Sequence, residues 1–143
     1  MSFEPLDEAA IARIATGLLS ATLPKAEWTH AAHFAAALWI LRHRPDAADA
    51  MPDVIRTYNV ATGGVNSDMA GYHETITRAS MRVAARWLAG YPEERPLADI
   101  LAALLDSPYG RSDWLLAHWS RERLFGAEAR RRWVEPDLTP LPA

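Results

Sequence analysis

Three histidines carry the spacing for joint chemistry. His30 and His33 stand three residues apart in EWTHAAHF, where an apolar run begins, and His73 opens a second apolar run in GYHETIT. Residues three apart on a helix point about 60° apart, so both imidazoles can aim at one spot from adjacent turns. Imidazole suits zinc, iron, nickel and copper. Two histidines from one helix and one from a facing helix supply the three protein ligands of a site that keeps a fourth position for water. This reading predicts a divalent transition metal (zinc, nickel or iron) on His30, His33 and His73. The competing reading is that the histidines only decorate two helix ends, His30 satisfying helix-end groups and His33 buried and bonded to a neighbouring carbonyl, where the dipole favours neutral imidazole.

Further candidates surround them. Glu74 and Asp68 are the candidate catalytic residues, moving protons beside a metal-activated water. Asp68 also suits a fourth ligand or an orienting role, and Glu74 has a competing partner four residues on, Arg78. Tyr58, Asn59, Tyr72 and Thr77 are the candidate ligand-binding residues, through phenol, amide or hydroxyl groups. Trp28 and Trp39 suit pocket walls, though tryptophan at helical spacing is equally core. Asn66 and Ser67 read as turn chemistry.

Several classes fall away. The chain has no cysteine, which removes disulfides, thiolate ligands and a cysteine nucleophile and fits a reducing compartment. There is no G-x-S-x-G elbow, Walker loop or dinucleotide fingerprint, and the glycine-containing GGVNSDMAG lacks lysine. A formal net charge of -3 argues against non-specific nucleic-acid binding. Arg121, Arg123, Arg130, Arg131 and Arg132 crowd the last quarter and read as a solvated face. No apolar run nears the ~20 residues of a membrane span, since the longest, Ala31 to Leu41, is interrupted by His33. The acidic start MSFEPLDEAA lacks a basic-then-apolar leader, so a cytoplasmic location is expected.

The elements that must position these residues are helical. Alanine, leucine and arginine dominate, and glycine and proline fall between apolar stretches. The periodicity predicts an all-α single domain over residues 1–143: a bundle of about five main helices, short C-terminal helices and an extended tail. The first helix is expected over Leu6 to Ser20 and the second from the Thr29 cap to Pro45. The third follows Asp46, with Pro52 kinking or starting it, and stops at Gly63-Gly64. The fourth is expected over Tyr72 to Ala89 and the fifth from Pro96 to Asp106. Shorter ones are expected over Ser112 to Trp119 and Ala127 to Trp133. The tail EPDLTPLPA is expected to anchor to the body through Leu138 and Leu141. Short connections make the second and fourth helices parallel, with the third returning between them, and this brings the three histidines to one end.

The blocks EWTHAAHFAAALWIL, YNVATGG, GYHETIT and SRERLFGAEARRRWVEPDLTPLP together resemble a family of small, uncharacterised bacterial proteins. Its pattern is a W/F-T-H-x-x-H opening, a Y-H-E-T-[IL]-T block and a P-D-L-x-P-L ending. The resemblance implies no particular chemistry. It draws attention to Thr29, His30, His33, Tyr72, His73, Glu74 and Thr75 as a set. The expectation from sequence is a histidine-lined polar pocket holding a metal and a small molecule, whether or not it is an enzyme. The alternative is a metal-free module for small-molecule binding or protein interaction, including homodimerisation through a tryptophan-bearing face.

Overall fold

The computed structural model describes residues 6–142, so the expectations for residues 1–5 and for the last residue of the tail lie outside it. The described residues form an all-α bundle without strands. Five main helices are α1 (Glu8–Leu19), α2 (His30–His43), α3 (Ala47–Ala61), α4 (Glu74–Ala89) and α5 (Leu97–Leu105), followed by the short α6 (Arg121–Leu124) and α7 (Ala127–Arg131). None is long and apolar enough to cross a membrane.

Local chemistry sets these boundaries. Asp7 caps α1 by accepting from the Ala10 N–H, and Thr29 caps α2 by accepting from the Ala32 N–H, each satisfying a donor that the first turn leaves orphaned. Pro52 is the sixth residue of α3, so the helix starts before it and runs through it, with the Ala48 carbonyl lacking the donor that a non-proline residue at 52 would supply. α2 is the central element. Seven of its fourteen residues are buried, Phe34 to Leu38 without a break, because α1, α3, α4 and α5 all pack on it. A helix covered on every side reads as a continuous apolar run rather than a stripe.

The C-terminal quarter is tied back by named bonds. The Trp119 indole N–H donates to the Val134 carbonyl at 3.0 Å. Asp137 accepts from the Ser120 backbone N–H at 2.8 Å and from its hydroxyl at 2.6 Å. The Leu138 N–H donates to the His118 carbonyl at 2.9 Å, but the Leu138 side chain is 57% exposed, so of the two expected anchors only Leu141 packs against the core. Prolines rule out a regular helix in the tail, yet these bonds hold it in an extended path over the bundle. The Ser112 to Trp119 segment is a 3-10 turn at Trp114–Ala117 rather than an α-helix. Its indoles and leucines bury themselves within one turn, which is too short for an α-helical stripe.

Candidate functional site

The site is a cavity of about 290 Å³ between α2, α3 and α4, with Phe125 and Arg130 at one side. α2 contributes His33 and Ala37. α3 contributes Met51, Ile55 and Asn59. α4 and its cap contribute His73, Ile76, Thr77, Ser80 and Met81. His33 lies in the first turn of α2 and His73 caps α4, so the two helix starts share one end of the bundle. A second cavity of about 260 Å³ lies beside the first and shares Trp28, His33, Ile76 and Ser80 with it. Its other walls include His30, Phe34 and Trp114.

The three histidines have three different environments. His73 is buried and fully engaged. Its Nδ1 accepts from the Ile76 N–H at 3.2 Å as the α4 cap, and its Nε2 lies 2.7 Å from the Leu124 carbonyl, to which it donates. These partners fix the tautomer by inference. Burial holds its pKa below the ordinary value despite the Leu124 bond. His30 is half-buried, and its Nε2 donates to the Tyr109 carbonyl at 2.9 Å. Neither ring nitrogen of His33 has a hydrogen-bond partner among the described residues. Its ring lies 3.9 Å from the Trp28 ring, centroid to centroid, tilted by 38°. By area His33 counts as exposed, but that area opens on the two cavities, and protein atoms crowd the rest of the ring. This dehydration, with the charge of nearby His30 second, lowers its pKa to about 4.

A metal therefore does not fit the three rings as they stand. A ligating nitrogen must offer a lone pair, and neither nitrogen of His73 has one free. No group of three His, Asp or Glu side chains among the described residues is close enough to hold an ion. The sequence places His73 correctly beside a helix start, but it does not reveal that the imidazole itself serves as the cap. Asp, Asn, Ser and Thr are the usual caps.

The other candidates divide. Asn59, Tyr72 and Thr77 line the cavity. Tyr58 is buried, and its hydroxyl donates to the Leu23 carbonyl at 2.9 Å. Glu74 is bound by the Tyr72 hydroxyl and the Arg78 guanidinium outside the cavity lining. Burial would raise its pKa, but those two bonds outweigh it and hold the carboxyl below the usual range. Burial, with Glu74 second, pushes the Tyr72 phenol up. Asp68 pairs with Arg131 at 2.8 Å on the surface. Tyr72 is held in place from two sides: its N–H donates to Asn66 Oδ1 at 2.9 Å, and the Arg56 guanidinium lies 4.2 Å from its ring centre.

Sequence reasoning does not single out Ser80, Met51, Met81 or Arg130. His73, Thr77 and Ser80 recur at helical spacing along α4, and that polar stripe is a readable signal. Arg130 carries none. Its neighbours Arg131 and Arg132 form surface pairs with Asp68 and Glu128, as a solvated face should, whereas Arg130 turns inward to the Gly71 and Tyr72 carbonyls at 2.9 and 3.4 Å. Two blocks of the sequence also prove to be partners. Buried Thr75 donates to the Arg132 carbonyl at 2.9 Å and accepts from the Val134 N–H at 3.2 Å, so GYHETIT clamps the C-terminal segment.

The cap assignment has a measurable consequence. His73→Ala removes an N-cap and leaves the Leu124 carbonyl unsatisfied, an expected loss of about 2–3 kcal/mol in urea unfolding. His73→Asn can still cap and should recover about 1 kcal/mol. An alanine variant as stable as the parent would contradict the assignment.

Comparison with protein-family models, with curated proteins and with solved structures finds no match for this chain.

Proposed function

We propose that this chain is a metal-free small-molecule-binding domain whose ligand occupies the α2–α3–α4 cavity. One observation carries the reading: His33 lines both cavities with no protein partner on either ring nitrogen. Ring nitrogens that open on a cavity and carry no protein bond are free to pair with a molecule held there. The rest of the lining suits this role. Trp28, Ile55, Ile76 and the two methionines offer apolar area, while Asn59, Thr77 and Ser80 offer a few polar contacts, which is the usual make-up of a ligand pocket. A neutral imidazole at pH 7 both donates and accepts. The metal-dependent reading requires His73 to leave its cap, so we favour the metal-free one. The cysteine-free sequence supports a cytoplasmic setting, and the shared blocks support kinship with the small bacterial family.

Methionine methyl NMR tests the reading directly. Met51 and Met81 are buried in the cavity wall, whereas Met69 is 89% exposed on the loop before α4 and serves as an internal control. A mixture of fragment-sized molecules should shift the Met51 and Met81 methyls and leave Met69 still. Ala37→Phe, which fills the cavity from α2, should abolish the shifts while the fold still melts cooperatively. Shifts that persist in the filled variant, or that never occur, would overturn the reading.

A further inference from the structure

The two cavities share a wall, and their combined lining carries one permanent charge, Arg130. Among the described residues Arg130 has no carboxylate partner, unlike Arg131 and Arg132 beside it. Two backbone carbonyls hold one of its terminal nitrogens and leave its remaining donors uncommitted. A guanidinium offers a planar fork that matches a carboxylate. Away from this charge, the second cavity adds the apolar and aromatic Phe34, Trp114 and Leu115, with the uncharged polar groups of His30 and Ser112 beside them. At the junction, the side chains of Ser80 and His33 have no hydrogen-bond partner among the described residues.

Resting on the binding-site reading above, we propose that the ligand is an elongated amphipathic monoanion, a carboxylate on an aryl or alkyl body. Its head group pairs with Arg130, its middle passes between His33 and Ser80, and its apolar end enters the second cavity against Phe34 and Trp114. The charge pattern decides the sign. A cation would meet Arg130 with no anion in the lining to offset it, and a neutral analogue would leave the uncommitted guanidinium donors without a partner. A charge-assisted pair in a partly dehydrated site outlasts the salt screening that weakens exposed pairs.

Phenylbutyrate, phenylbutanol and phenylbutylamine share one body and differ in head-group charge, and each is titrated against the Met51 and Met81 methyls. The acid should bind at least about tenfold more tightly than the alcohol, the margin expected of a charge-assisted bond, and the amine should bind most weakly. Arg130→Gln should bring acid and alcohol to within about twofold, with Arg130→Lys between the two. The comparison in the parent protein does not depend on how well either variant folds. Equal binding of acid and alcohol would overturn the monoanion assignment and leave the cavity standing as a ligand site. Phenylbutyrate that moves neither methyl overturns it as well, and the fragment experiment then decides separately whether the cavity binds anything.

Discussion

Trp119→Ala should cost about 4 kcal/mol in urea unfolding, in the range for a large aromatic truncated in a core. Trp119 is fully buried. Its indole N–H holds the Val134 carbonyl, and its ring meets that of Trp133 edge-on at a centroid distance of 5.6 Å. Alanine leaves a void and an unsatisfied carbonyl together. Trp119→Phe keeps most of the volume and loses only the bond, so about 1–2 kcal/mol is expected. The effect reaches the site, because Val134 also donates to Thr75 of α4. A change below about 1 kcal/mol in the alanine variant would contradict this account of the C-terminal packing.

Gly71→Ala should lower stability by about 3 kcal/mol and abolish binding in the cavity. Gly71 has φ +83, where a side chain is strained. A Cβ there would meet the Val65 carbonyl oxygen at 2.3 Å and Asn66 Oδ1 at 2.7 Å. Asn66 cannot move freely, since that oxygen accepts from both the Asn59 amide and the Tyr72 N–H. Displacing it cuts both bonds and frees two residues of the lining. The readouts are the urea midpoint and the Met51 and Met81 methyl shifts on adding ligand. Parent-like values for both would refute the claim that this glycine sets the loop.

The fold was legible because its signals are local. Thr29 before an apolar run, Pro45 after it and Gly90 after Ala89 mark helix ends whatever lies around them. The sequence pattern puts the start of α4 at Tyr72, whereas the helix begins at Glu74, since a histidine cap falls outside the usual set. Lys25–Glu27, Pro108–Gly110 and α6 span about one turn each, too short for any periodicity to register. The site was legible in part for the same reason. Two helix starts brought to one end place His33 and His73 on a common cavity, and a helical repeat from His73 leads to Thr77. What the sequence could not convey is how polar groups are spent. The engagement of His73 with Leu124, of Tyr58 with Leu23 and of Asp68 with Arg131 depends on segments far apart in the chain. The inward turn of Arg130, one of three consecutive arginines, depends on them equally.

The central claim is that His33 faces the two cavities in a crowded wall with its ring nitrogens unspent. The unfolded chain should hold His33 near the ordinary 6.5, while the native state holds it near about 4. The native state therefore favours the neutral ring. The stability it contributes is fully present above about pH 6.5 and is lost as the pH falls through the window down to about 4. His33→Gln should remove that part of the acid sensitivity. The most direct measurement is an NMR titration of the His33 imidazole nitrogens in the folded protein. We expect the ring to stay neutral from pH 7 down to a midpoint near about 4, and both nitrogen shifts to move when ligand is added. A midpoint near 6.5, unchanged by ligand, would mean an ordinary hydrated histidine and no binding site around it.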